Sequence, residues 1–335
     1  MKRSNLSICY YPTTILFLDD EPAFLTILKE LIKRKDLKGD FYENPQNALN
    51  FMNDEYQTNP FIQRCLTHQQ DISSDHVVDD FNVRSVHQEI YNPHRFQEIT
   101  VAVVDYSMPG MDGLSFCQQI KNNTIKKIML TGEADESLAV KAFNELAIDQ
   151  FVRKDTPDLM KVLLTRIREM QQAYFSEVSD ILLNKNKMAS RGSFLWLNDP
   201  IFSAFLLQLC DKHQLIEYYL MDDLGSFLLL NAQGKPHWLA VANDEMMETY
   251  YEFAKGDKAD ETMVQALKNK EIIPYFYTEE DFDVRPQEWQ PYLHKASILE
   301  GKGRYYYAFI ENSSAYTFPA KKILSYEQFL NNNAR

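Results

Sequence analysis

Two textures alternate through the first half of the chain. Short apolar runs occur at Thr14 to Leu18, Phe41-Tyr42, Val101 to Val104, Lys127 to Leu130 and Gln150 to Val152. Runs without polar alternation suit strands that are covered on both faces. Between them the apolar positions take helical spacing: Phe24, Leu25, Leu28 and Ile32 behind Pro22, then Ala48, Leu49 and Phe51 behind Asn44-Pro45. Leu114 to Ile120 and Leu138 to Leu146, the latter behind Asp135, repeat the pattern. Pro in a first helical turn and Asn or Asp at an N-cap are the expected start signals. Strands that alternate with helices predict a parallel sheet with helices on both of its faces. One stretch breaks the alternation. Met52 to Thr100 is polar and irregular, with short helices expected near Phe61 to Leu66 and Val83 to Ile90.

The pattern changes after Asp158. A helix is expected to run to Leu183, with Leu163, Ile167, Met170, Tyr174 and Ile181 at a/d-like intervals. A stripe of about two to three heptads either packs on its own chain or pairs two protomers as a homodimer. From Ser190 an aromatic segment and a helix lead into a meander of Glu217 to Met221, Ser226 to Leu230 and Trp238 to Ala242, separated by Gly-containing turns. Such runs read as antiparallel strands. Helices at Asp244 to Phe253 and Glu261 to Leu267 follow, then strands at Ile272 to Phe276, Ala296 to Leu299 and Tyr305 to Ile310, and a short helix at Tyr326 to Leu330. The expectation is an α+β domain around an antiparallel sheet. Arg304, Tyr305, Tyr306 and Tyr307 form either a stacking platform or ordinary core and rim packing.

Composition narrows the classes. A chain of 335 residues has room for two cores, and a 45% hydrophobic content excludes wholesale disorder. No apolar run approaches the roughly 18 residues of a membrane span. No apolar segment with a cleavage site follows Lys2 and Arg3, so a cytoplasmic protein without membrane insertion is expected. Cys9, Cys65, Cys117 and Cys210 lie too far apart for a zinc or disulfide framework. His68, His76, His87 and His94 in the irregular stretch lack metal-ligand spacing, and His213, His237 and His294 have no evident partner. With 48 acidic against 35 basic residues the net charge is −13, and acidic side chains also outnumber Lys and Arg after Ser190. No basic recognition helix offsets that balance, which makes DNA an unfavourable partner. Walker A and HExxH patterns are likewise missing.

Candidate chemistry lies at the ends of the apolar runs. Asp19-Asp20 follows the first, Asp105 the third, Thr131 the fourth and Lys154 the fifth. In a parallel sheet all of these reach one edge, where ligands of open α/β sheets bind. Three carboxylates gathered there repel one another unless matched, and a hard divalent cation such as Mg²⁺ resolves the conflict through oxygen ligands. Carboxylates, cation, hydroxyl and ammonium together make a phosphoryl-transfer site.

With these residues in hand, DD at a strand end, DYSMPGMDG, LTGE and an aromatic three residues before a lysine resemble the receiver domain of two-component response regulators. The resemblance covers Thr14 to about Tyr174 apart from the irregular insertion. It implies an α/β flavodoxin-like fold with a five-stranded parallel sheet in the order 2-1-3-4-5. It implies that Asp105 accepts a phosphoryl group from a sensor histidine kinase or phosphotransfer protein, with Mg²⁺ held by Asp20 directly, Asp19 through water, Asp105, and the carbonyl of Ser107. Thr131 and Lys154 match the groups that hold phosphoryl oxygens, Phe151 the aromatic that turns inward on activation, and Ser107 and Glu133 the positions that tune dephosphorylation. Two departures stand out: Asp155 follows the lysine where the family usually has Pro, and the acidic pair is unusually far from the acceptor.

The expected organisation is a receiver at 12–174 with an insertion at about 53–100, an extended last helix and linker at 158–189, and an α+β output domain at 190–335. Three outputs are open: an adaptor that binds a protein or small ligand, a receiver-regulated enzyme acting on a small molecule, and a transcription factor with an unfamiliar DNA-binding domain. The acidic meander and the lack of a nucleophile–base constellation favour the non-enzymatic adaptor. A looser likeness, carried by architecture rather than by any motif, is to quorum-sensing regulators of the Legionella type.

Overall fold

The computed structural model describes residues 6–35, 37–53, 61–70, 77–81, 83–132, 147–184, 194–277, 280–311 and 323–333. The chain forms two compact units. One comprises Tyr11–Phe81, Pro93–Lys185 and Gln328–Arg335; the other comprises Met1–Tyr10, Asn82–Asn92 and Asn186–Glu327.

In the first unit five parallel strands stand side by side in the order Lys38–Tyr42, Thr14–Leu18, Ile99–Asp105, Lys126–Thr131 and Gln150–Arg153. Numbered along the chain this is 2-1-3-4-5, the flavodoxin-like arrangement. Every residue of the three central strands is buried, because alternate side chains serve two different cores. Leu16, Leu18, Ala102, Val104 and Met129 pack with Ala48 and Phe116 from the Pro45–Met52 and Gly113–Gln119 helices. Ile15, Phe17, Val101, Val103 and Ile128 pack with Leu25, Leu28, Leu163 and Ile167 from the Pro22–Lys33 and Leu159–Asn184 helices. The helix expected behind Asp135 lies outside the described residues.

The irregular insertion has more order than its sequence suggests. A short helix at Phe61–Cys65 leads into an antiparallel hairpin of Leu66–Gln70 with Val77–Phe81. Its anchor is Glu98, buried just before the central strand. The Glu98 carboxylate accepts from the Tyr174 hydroxyl at 2.5 Å, the Arg64 guanidinium at 2.7 Å, the Tyr11 hydroxyl at 3.0 Å and the Phe61 N–H at 3.1 Å. Four donors satisfy a charge that would otherwise be costly to bury. In the 26-residue helix Leu159–Asn184, Leu163, Ile167, Met170 and Tyr174 are buried within the chain, whereas Ile181 is half-buried, so the first part of the apolar stripe packs on its own chain.

The second unit is built on a six-stranded sheet in the order Cys9–Tyr10, Leu215–Leu220, Phe227–Asn231, Pro236–Ala242, Arg304–Ile310 and Ser297–Glu300, antiparallel throughout. A smaller ribbon pairs Ile272–Pro274 with Leu293–Lys295. By contact, the two units interleave along the chain. A two-residue strand, Cys9 opposite Tyr219 and Tyr10 opposite Tyr218, is too short to show a period. Fully buried Trp196 donates from its indole N–H to the Asp223 carbonyl at 3.1 Å and sets its ring edge-on to Phe227. Tyr305 and Tyr306 are buried, with hydroxyls donating to Asp199 and Asp244, each at 2.9 Å; they are core packing, not a platform. His213 approaches Glu311 at 3.2 Å, His237 stacks on Phe309, and the His294 Nε2 lies 3.2 Å from the Tyr277 hydroxyl. Among the described residues no helix is long and apolar enough to cross a membrane.

Candidate functional site

Four strand ends and the loops after them supply the site. Asp19 follows Thr14–Leu18, where its N–H donates to the Tyr42 carbonyl and its Oδ1 accepts from Glu21 N–H at 2.9 Å, ahead of the Pro22 helix. Asp105 is the last residue of the Ile99–Asp105 strand. The loop behind it turns back tightly: the Gly113 N–H donates to the Tyr106 carbonyl at 2.9 Å, and a Cβ at Gly113 would stand 2.2 Å from the Asp105 carbonyl oxygen. Only glycine allows that approach. Asp112 then caps the next helix through the Ser115 N–H.

Lys154 joins these ends. Its backbone N–H donates to the Thr131 carbonyl at 2.9 Å, and its ammonium lies 2.8 Å from Asp19 Oδ2 and 2.8 Å from Asp105 Oδ1. Phe24 lies under the same ammonium at 5.1 Å, a contact that adds cation–π attraction. Asp19 and Asp105 are 1% and 4% exposed, whereas Asp20 faces solvent. Ligand oxygens of Asp19, Asp20 and Asp105 all fall within 4.8 Å of one another. One ammonium against three carboxylates leaves an excess of negative charge in an all-oxygen donor set, which suits a hard divalent cation.

The electrostatics follow from burial. Asp105 is raised above the ordinary carboxylate value chiefly by desolvation, with Asp19 and Asp20 adding and Lys154 opposing. Burial works against the Lys154 ammonium, but its hydrogen bonds to Asp105 and Asp19 outweigh that cost and raise its pKa. Thr131 is fully buried, one residue beyond the Leu130 that stands opposite Asp105, and its hydroxyl has no hydrogen-bond partner among the described residues. A buried hydroxyl left without a partner is costly, and an anionic oxygen would satisfy it.

The residues singled out in the sequence fall into three groups. Asp19, Asp20, Asp105 and Lys154 converge directly. Thr131 and half-buried Phe151 stand on the two neighbouring strands, Phe151 against the core that holds Met129, and Ser107 is exposed in the loop after Asp105. Glu133 lies outside the described residues. Asp155, in place of the usual Pro, forms a two-pronged ion pair with Arg153 at 2.9 and 2.6 Å. Sequence reasoning missed Phe24 and Gly113 as parts of the site. The second glycine of MPGMDG was the available signal for Gly113.

Comparison with known proteins bears on the same residues. The response regulator receiver domain family matches residues 60–167, a span that contains Asp105, Thr131 and Lys154. Response regulator RppA of Synechocystis sp. is 31% identical over 84 residues, covering 24% of this chain and 35% of that protein; the match thus spans about a third of the relative. The structure of the Legionella pneumophila response regulator LqsR is similar along nearly the whole length, with 31% identity, a TM-score of 0.81, and coverage of 98% of this chain and 97% of that one. With the receiver family matched over residues 60–167 and a solved response regulator, 31% identical, alignable over 98% of its length, the chain belongs to the response regulators of two-component signalling.

Proposed function

We propose that Asp105 is the phosphoacceptor of a two-component relay and that the second unit is a protein- or ligand-binding output under its control. The observation that carries this reading is the Lys154 ammonium placed 2.8 Å from both Asp19 and Asp105. The donor is the phosphohistidine of a sensor histidine kinase or a phosphotransfer protein. An Asp105 carboxylate oxygen attacks phosphorus, the nitrogen–phosphorus bond of the donor breaks as the oxygen–phosphorus bond forms, and the departing imidazole keeps the electron pair. Asp20, Asp105, the Ser107 carbonyl and, through water, Asp19 would hold Mg²⁺, which supplies charge neutralisation at the phosphoryl oxygens. Lys154 pairs with one such oxygen and the Thr131 hydroxyl donates to another, so the phosphoryl group satisfies the buried hydroxyl. Phe151 moves inward as Thr131 is drawn to the phosphoryl group. Ser107 and Glu133, by their positions in the sequence, tune dephosphorylation and so set the lifetime of the modified state.

In functional terms the receiver spans 12–174 with its insertion at 53–100, the helix and linker span 158–189, and the output domain spans 190–335, in the cytoplasm. Incubation with acetyl phosphate and Mg²⁺, followed by intact-mass measurement, tests the site. One phosphoryl adduct is expected on the wild type and none on Asp105→Asn or after chelation of Mg²⁺. An adduct of undiminished yield on Asp105→Asn would remove Asp105 from the mechanism.

A further inference from the structure

The second unit contains a cavity of about 460 Å³, within the range of small-molecule sites. Its walls are aromatic: Trp238, Tyr275 and Phe276 are 3%, 8% and 9% exposed, and Tyr91 and Tyr250 join them. Apart from His87, whose imidazole also lines it, its charge has one sign. Asp222 and Asp223 line it, and no lysine or arginine is among the described residues that do. Asp222 lies in the turn between the Leu215–Leu220 and Phe227–Asn231 strands, where its Oδ1 accepts from the N–H groups of Leu224, Gly225 and Ser226 at 3.0, 3.1 and 3.0 Å. Those bonds fix the carboxylate in place, yet it has no cationic partner among the described residues. An asparagine would hold the same turn through its amide oxygen without the charge.

The phenols point the same way. The Tyr250 and Tyr275 hydroxyls make no hydrogen bond among the described residues, and both feel the Asp222 charge, which adds to burial in raising their pKa values. Burial likewise raises the Asp222 carboxyl above its ordinary value in spite of its hydrogen bonds. An aromatic pocket with a fixed, unpaired carboxylate and unused hydroxyls favours a ligand with positive charge and N–H donors: ring faces attract a cation, the acid pairs with it, and the oxygens accept its N–H hydrogen bonds.

We propose that this cavity binds a small organic cation, a primary ammonium carried on an apolar stem. The proposal deepens the reading of the second unit as a ligand-binding output and is independent of phosphoryl chemistry at Asp105. Tyr91 and Ile90 in the wall come from Asn82–Asn92, a segment joined in sequence at both ends to the first unit. Ligand contact therefore reaches residues covalently continuous with the strand that ends in Asp105.

The test is titration of the full-length protein with 2-phenylethylammonium, its uncharged counterpart 2-phenylethanol, and anionic 3-phenylpropionate, read by calorimetry and by tryptophan emission, since Trp238 is in the wall. The ammonium is expected to bind at least about tenfold more tightly than the alcohol, and the anion not to bind. Asp222→Asn, which keeps the turn, should remove that preference while leaving the alcohol's affinity unchanged. Tyr275→Phe should weaken the ammonium by a smaller factor, and Asp105→Asn should bind it as the wild type does. The proposal is overturned if the alcohol or the anion binds as tightly as the ammonium, if none of the three binds at millimolar concentration, or if Asp222→Asn retains the preference. Absence of a phosphoryl adduct with ammonium binding intact would instead count against the phosphoacceptor alone.

Discussion

The two units place chemistry in opposite ways. In the first, candidate groups come from the ends of adjacent parallel strands, so a single sheet edge collects Asp19, Asp105, Thr131 and Lys154. In the second, the cavity draws on a turn at Asp222, a strand residue at Trp238, a helix residue at Tyr250 and a loop at Tyr275. A parallel sheet makes its site by topology, because every strand must finish at the same edge. An antiparallel sheet has no such common edge, and its site is assembled from whatever segments the core brings together. One consequence is that the first site tolerates a long insertion between Met52 and Thr100, since only the strand ends have to stay in register.

That contrast is sharpest at Asp20. Because it is exposed, it contributes little to the core, and on the proposed reading its carboxylate serves the cation. Asp20→Ala is expected to lower Mg²⁺-dependent phosphorylation by acetyl phosphate at least about a hundredfold while the melting temperature stays within a few degrees of wild type. Labelling at the wild-type rate would show that the acidic cluster is not the metal site.

Glu98 gives the opposite result, large in stability and small in chemistry. Replacing it with alanine removes the Glu98 carboxylate from its bonds with Arg64, Tyr11 and Tyr174, at an expected cost of about 3 kcal/mol. All three tryptophans, Trp196, Trp238 and Trp289, belong to the second unit, so emission follows that unit alone. In urea the Glu98→Ala transition should move further by far-UV circular dichroism than by tryptophan emission. Equal displacement of the two curves would mean that the network supports both units.

Legibility in the sequence followed the same division. The parallel strands were visible because burial on both faces removes polar residues from the run, and Asp105, Lys154 and Thr131 were visible because each follows such a run. Glu98 was not, since its partners Tyr11, Arg64 and Tyr174 lie 87, 34 and 76 residues away and nothing local distinguishes it from a loop charge. The hairpin at Leu66–Gln70 and Val77–Phe81 carries neither period-2 alternation nor a turn signature in its strands. In the second unit the meander was legible from its glycine-containing turns. The cavity was not, because Tyr91, Asp222, Trp238 and Tyr275 meet only in three dimensions.

The turn that carries Asp222 is also a point where backbone and core meet. Gly225 has φ of +101°, and a Cβ there would come within 2.9 Å of the Trp196 ring. Gly225→Ala combines a conformation that L-residues avoid with overpacking of a buried indole, for an expected loss of about 2 kcal/mol. The loss should appear in tryptophan emission before it appears in phosphorylation by acetyl phosphate. If phosphorylation falls in parallel with the emission midpoint, the two sites do not belong to separate units in solution.

The smallest effect expected is a pH dependence confined to the second unit. Burial lowers the pKa of His237, packed on Phe309 with Lys235, His213 and Glu311 as its charged surroundings, and burial likewise lowers that of His294. A histidine held neutral in the folded chain but free to protonate when unfolded, with an unfolded pKa of about 6.5, leaves stability unchanged above that value. Below it the unfolded chain binds more protons than the folded one, so stability falls as pH falls, until the folded groups also titrate. The urea midpoint followed by tryptophan emission should therefore decline from neutral pH into the mildly acidic range. In His237→Gln the decline should be shallower, and a slope unchanged by that substitution would assign the effect to His294 or to the carboxylates. The receiver is expected to differ here too, because its buried ionisable groups at the strand ends are carboxylates and a lysine, and no histidine is among them.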